Sequence, residues 1–184
     1  MVDRKGIINT SKKYKKENEM EKLDNKKFIQ AYKIYKPKKD GTGTASQFCF
    51  AKDKGCLFLE MASQLPTKDE NDNAIFGWKD KISFKLGPVD IAELLLVLHG
   101  IKNGAGPKDK FNTSEKYNGL FHSTASGNSI LKFEIGKYDG FYLGLNIKKG
   151  ESAPVALKHS LTSSEGMILR ILLEKAIELI YDWD

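Results

Sequence analysis

Cysteine is scarce in this chain: only Cys49 and Cys56 occur, and they are not spaced as CxxC. Two cysteines exclude a disulfide scaffold and a cysteine zinc site by number alone. They could still face each other across a hairpin, as buried thiols or, less simply, as a redox pair. Long apolar runs are also missing. The best stretch, 94–98, is bounded by Glu93 and His99, far short of the ~20 apolar residues that a membrane span requires. Residues 1–18 hold no apolar segment of the secretory type, so a cytoplasmic or nucleoid-associated protein is expected. Arginine is nearly absent: 28 of the 30 basic residues are Lys, leaving Arg4 and Arg170. Fixed two-pronged reading of base edges favours Arg, so any contact with nucleic acid should be backbone-directed and tolerant of sequence.

Sequence signs of catalysis are equally thin. His99, within the first expected helix, reads as a core or boundary histidine, His122 and His159 have no Cys, Asp or Glu at ligand spacing, and neither HExxH nor GxSxG occurs. The run Gly41-Thr42-Gly43-Thr44 lacks the lysine of a phosphate loop and precedes no helix. The glycines near Asn103 follow a helix and read as its stop. No enzyme, no metal and no cofactor is expected.

What is present begins with length. At 184 residues one domain is the natural reading. The charge is unevenly placed. Residues 1–40 carry 13 Lys/Arg against 6 Asp/Glu, a net of +7, and residues 41–184 carry 17 against 18, a net of −1. Residues 1–27 are rich in Lys, Glu and Asn and have no apolar stripe, which predicts a basic disordered tail. Residues 28–184 then form the single domain. A basic arm favours phosphate-bearing partners through counterion release, although a solvated tail would look the same.

Alternation and turn signals predict strands over 28–35, 45–51, 56–61 and 78–86. A polar loop is expected over 63–74. A helix follows over 89–102. Strands recur over 117–123, 130–135, 141–147 and 154–158, with a turn at 137–140. Thr162-Ser163-Ser164-Glu165 is a capping box opening a last helix that runs to about Tyr181. The plan is four strands and a helix, twice over. It predicts an α+β fold of two antiparallel four-stranded sheets packed with two helices, with no residue-level repeat between the halves.

The segment with positive chemical content is Tyr32-Lys33-Ile34-Tyr35-Lys36-Pro37-Lys38-Lys39. Aromatics interleaved with Lys on a strand suit a single-stranded nucleic acid: bases stack on rings and ammonium groups follow the phosphates. Alternation puts Lys33 and Tyr35 on one face and Tyr32 and Ile34 on the other. Lys81, Lys85, Lys132 and Tyr142 are outward positions on other strands. Phe48, Phe50 and Phe58 add aromatic surface of unassigned facing. An ordinary sheet with core aromatics and a lysine-rich exterior is the plainer alternative.

The order of these segments resembles the Whirly family of single-stranded DNA-binding proteins, whose fold is shared by the trypanosome guide-RNA-binding proteins. Tyr32 to Lys38 is similar to the family's Y-x-I-Y-K-G-K, and 57–62 (LFLEMA) to its strand ending L-x-F-A. Trp78 to Leu86 resembles W-x-x-K-x-x-F-S-L, and 130–134 (ILKFE) resembles V-L-K-V-E. Phe121-His122, Pro154-Val155 with Glu165, and Tyr181-Asp182-Trp183 fall at further family landmarks. The likeness covers about residues 30–183. It departs at Pro37, which replaces a Gly, and at Lys39-Asp40, which replaces an apolar run tied to higher-order assembly.

The resemblance implies a homotetramer with the helices at its centre and single strands lying along the sheets. Together, pattern and resemblance give a candidate contact set of Lys33, Tyr35, Lys36, Lys38, Lys39, Phe48, Phe50, Phe58, Trp78, Lys81, Lys85, Lys132 and Tyr142. The expected partner is single-stranded DNA, bound without sequence preference in replication, repair or a related process. RNA binding with strand annealing is the first alternative. A structural assembly protein is the second.

Overall fold

The computed structural model describes residues 31–108 and 117–182. The tail expected over 1–27, the first residues of the strand expected over 28–35, and Trp183 lie outside them.

The first sheet is antiparallel and built from β1 (Tyr32–Lys36), β2 (Thr44–Ala51), β3 (Cys56–Lys68), β4 (Ala74–Phe76) and β5 (Ile82–Leu86). Its main order is β1-β2-β3-β5, and β4 pairs the far half of β3. Helix α1 (Pro88–Leu98) follows. The second sheet runs β6 (Leu120–Thr124), β7 (Gly127–Ile135), β8 (Phe141–Lys149) and β9 (Val155–Leu161), in that order and antiparallel throughout. Helix α2 (Ser163–Tyr181) closes the chain. The fold is therefore α+β with two helices and two antiparallel sheets of four main strands, as the alternation implied.

Register decides which side chains are inside. Tyr32 pairs with Phe48, Phe48 with Leu59, and Leu59 with Phe84. One face of the first sheet thus carries Ile34, Phe48, Leu57, Leu59, Met61, Ile82, Phe84 and Leu86. In the second sheet Leu131 pairs with Leu145 and Phe133 with Leu143. These two faces join Ile91, Leu94 and Val97 of α1 and Leu169, Leu173 and Ala176 of α2 in one continuous core.

Three expectations need correction. Residues 63–74 are not a loop: β3 continues to Lys68 and turns back through β4. The turn is made by Asp69, whose carboxylate accepts the N–H groups of Asn71 and Asn73. This arm is mostly exposed, so it shows no apolar alternation. Trp78 does not begin a strand; it sits in a short 3-10 turn, Trp78–Asp80. Helix α1 stops four residues early because Gly100, at φ +71°, takes the left-handed position, and the N–H of Ile101 then reaches the carbonyl of Leu96.

Cys49 pairs in register with Phe58, and Cys56 with Ala51, so the thiols are not opposite one another and both are free. Burial, with Glu60 nearby, pushes the Cys49 thiol up, which disfavours the reactive thiolate.

Candidate nucleic-acid interface

The outward face of the first sheet is set by the same register. Tyr35, Ala45 and Ala62 form one row across β1, β2 and β3. Small alanines leave room above the sheet, and Tyr35, Phe76 and Trp78 fill it. The Tyr35 ring lies 5.5 Å from Phe76 and 6.5 Å from Trp78, edge-on to the latter. Phe76 is buried beneath, while Tyr35 remains 47% exposed. The adjoining row is Lys33, Gln47, Glu60 and Ser83. Glu60 is occupied from both sides, by Gln47 and by Lys81 at 2.7 Å. Phe58 faces outward beside Lys85 and is covered by Lys54, 5.5 Å from its centroid.

The outward face of the second sheet carries a second platform. Lys132, Gly144 and Lys158 form one row across β7, β8 and β9, and Glu134, Tyr142 and Ser160 the next. Tyr142 leans over Gly144, where an added Cβ would lie 2.8 Å from the phenol oxygen. Glycine at this point is what lets the ring lie down on the sheet. The resulting trough, about 330 Å³, is lined by Ile130, Lys132, Tyr142, Gly144, Asn146 and Lys158. Burial and the Glu134 carboxylate both raise the Tyr142 pKa, so its hydroxyl stays a donor at neutral pH.

At the junction of the two sheets lies a larger cavity of about 600 Å³. Lys36 and Lys38 reach it from the end of β1, Lys137 and Tyr138 from the β7–β8 turn, and Tyr142 and Lys158 from the second sheet. Beneath it His159 ties the sheets together. Its Nδ1 is 3.0 Å from the Thr44 hydroxyl and its Nε2 3.1 Å from that of Ser46. Burial, and then the nearby Lys36 charge, push this imidazole down to about 4, so it is neutral in the native protein.

The candidate residues divide accordingly. Phe48 is a correction: its register with Tyr32 turns it inward and it is 3% exposed, so it offers no surface to a ligand. Phe50 shares that inward face and packs against the core. Lys36 is held by Glu165 of α2, with Nζ 2.7 Å from both carboxylate oxygens. Lys81 is held by Glu60. Among the described residues, Lys33, Lys38, Lys39, Lys85 and Lys132 make no ion pair.

The platforms divide the remaining set. Lys33, Tyr35 and Trp78 flank the first, and Lys132 and Tyr142 form the second. Sequence reasoning missed Lys158 and the exposed Phe121, and it did not single out Lys137 or Tyr138. The alternation Leu157, His159, Leu161 would have turned Lys158 outward. No grouping of His, Cys, Asp and Glu suited to a metal occurs among the described residues.

No family model and no curated protein matches the sequence. Solved structures do match. The MRP1/MRP2 structures of Trypanosoma brucei superpose with a TM-score of 0.60 at 14% identity, over 90% of this chain and 94% of theirs. A guide-RNA-binding protein complex bound to a guide RNA gives 0.60 at 14%, over 86% and 97%. WHY3 of Arabidopsis thaliana gives 0.58 at 16%, over 85% and 91%. The chain has a Whirly-like fold. In this Whirly-like fold the two platforms are the outer faces of its two sheets, and the 600 Å³ cavity lies where those sheets meet. No described helix is long and apolar enough to cross a membrane.

Proposed function

We propose that this protein binds single-stranded nucleic acid without sequence preference, DNA first, by stacking bases on its outward aromatics and holding phosphates on lysines. The observation that carries this is the second platform. The Tyr142 ring lies over Gly144 between Lys132 and Lys158, two ammonium groups that no carboxylate among the described residues claims. Such a surface gives each base a π-face, at roughly 1–3 kcal/mol per base, and needs no base-edge contact. The near-absence of Arg and the nucleic-acid partners named for the similar structures point the same way. The protein performs no chemistry on its ligand. RNA is the second reading, favoured by the guide-RNA complex among those structures. Copies assemble into a homotetramer through the exposed apolar stripe of α2.

The test is fluorescence anisotropy with labelled oligo-dT of about 30 nucleotides, longer than the ~4–16 that single binding modules cover. Duplex DNA and oligo-rU serve as competitors. Binding should resist the duplex and fall steeply with salt. In the double variant Lys132→Gln/Lys158→Gln the slope of log K against log salt should shrink by about 1.4, two contacts at about 0.7 each. Tyr142→Ala should lose ~1–3 kcal/mol. If neither oligo-dT nor oligo-rU binds at low salt, the reading is wrong and assembly through α2 is what remains.

A further inference from the structure

The cavity between the sheets differs from the trough on the second sheet in size and in charge. It is walled by the β7–β8 turn and by Leu161, Thr162 and Ser163, and it shares Tyr142 and Lys158 with the trough on the second sheet. A strand lying in the trough therefore meets the cavity at one end. About 600 Å³ suits a ligand of one nucleotide. Of its four lysines, Lys36 is claimed by Glu165, while Lys38, Lys137 and Lys158 make no ion pair among the described residues. Three uncommitted ammonium groups around one small cavity exceed the need of an internal phosphodiester, which carries one charge. A terminal phosphomonoester carries nearly two at neutral pH.

The turn at the mouth adds a second, independent observation. Tyr138 and Asp139 have φ of +56° and +57°, and the N–H of Gly140 reaches the Lys137 carbonyl at 3.2 Å. This is a β-turn with both central residues in the left-handed region, positions that favour Asn and Gly. Tyrosine is strained there, and its ring is 96% exposed, so the fold gains no packing from it. A strained, exposed ring beside a cationic cavity is placed to stack a base, and strain kept in this way points to function.

We propose that this cavity holds the phosphate-bearing terminal nucleotide of a single strand, with the phosphate on Lys38, Lys137 and Lys158 and the base on Tyr138. The proposal rests on the single-strand reading above. It gives the bound strand a preferred end, which platforms alone do not.

The test uses the whole chain and internally labelled oligo-dT carrying a 5′-phosphate, a 3′-phosphate or hydroxyls at both ends. One phosphorylated form should bind about tenfold more tightly than the hydroxyl-ended strand, equivalent to ~1.4 kcal/mol. Inorganic phosphate should erase that preference, and hydroxyl-ended binding should weaken no more than it does in Lys158→Gln. The variant Lys137→Gln/Tyr138→Asn, whose Asn suits the turn, should bind all three strands as wild type binds the hydroxyl-ended one. Equal affinity of wild type for all three ends overturns the end pocket and leaves the single-strand reading standing. So does a preference that survives in the variant. Failure of every strand to bind overturns both.

Discussion

His159 shows how one side chain links the two sheets to pH. It is 8% exposed and sits between the Thr44 and Ser46 hydroxyls. Its folded pKa of about 4 lies below the ordinary 6.5, so the unfolded chain takes up a proton first as pH falls. Stability from this residue is complete above about pH 6.5. It is lost progressively down to about pH 4, by at most ~3 kcal/mol, and changes no further below that. Urea midpoints measured across this range should fall with acidification in the wild type. They should fall much less in His159→Gln, which keeps a polar side chain between the two hydroxyls. An identical slope in the variant would mean that the acid sensitivity originates elsewhere. Gly144 makes a second case at this scale. Gly144→Val would lift the Tyr142 ring off the sheet, and oligonucleotide affinity should drop about as far as in Tyr142→Ala, with little change in melting temperature because the site is outside the core.

At the scale of elements, Lys36 and Glu165 join the end of β1 to the start of α2. Glu165 accepts the Thr162 N–H at 2.7 Å while its own N–H donates to the Thr162 hydroxyl at 3.2 Å, and the same carboxylate holds Lys36. Partial burial raises the Glu165 pKa, but the Lys36 hydrogen bond and the Thr162 N–H outweigh it and leave the carboxyl below its usual range. Glu165→Ala should therefore cost ~1–2 kcal/mol in calorimetry, as loss of a helix cap does. Lys36→Met, which keeps the apolar stem, should cost about 1 kcal/mol or less and leave the affinity for hydroxyl-ended oligo-dT nearly unchanged. If it weakens binding as much as Lys158→Gln does, Lys36 is a ligand contact after all.

The helix end was legible as Thr-x-x-Glu, because a capping box is local. Its partner was not, since nothing in the local pattern says that a carboxylate 129 positions away will claim Lys36. The same division runs through the strands. β5, β7 and β8 each have one face in the core and alternate visibly. The exposed half of β3 does not, and it read as a loop. Phe48 was ambiguous for a related reason: β2 is half-buried or buried along most of its length, and register, not composition, decides its facing. The cavity could not be read at all, because its lysines come from three separate segments, the end of β1, the β7–β8 turn and β9.

At the scale of the molecule, the question is what covers α2. Its inward side, Leu169, Leu173 and Ala176, is in the core, yet Met167, Ile168, Ile171, Leu172 and Leu179 are 38–54% exposed on the opposite side. A lone helix needs no second apolar stripe, and a contiguous one on a soluble surface marks an interaction site. Both signs of charge border it: Lys175 pairs with Glu178, and Arg170 lies 3.6 Å from Glu174. A second copy of the same helix, laid antiparallel, would set acid against base and apolar against apolar, which is the self-complementarity of a two-fold interface. An assembly formed through α2 would leave the outward sheet faces open to a strand. Ile168→Glu/Ile171→Lys should give a folded monomer by light scattering, since neither residue is in the core. The monomer should still bind a short oligonucleotide that fits one platform. It should lose affinity for longer strands by about 10²-fold or more, as tethered sites are no longer filled together. A double variant that keeps the wild-type mass would show that the stripe serves a different contact. A wild type that is already monomeric would remove the assembly while leaving each platform intact.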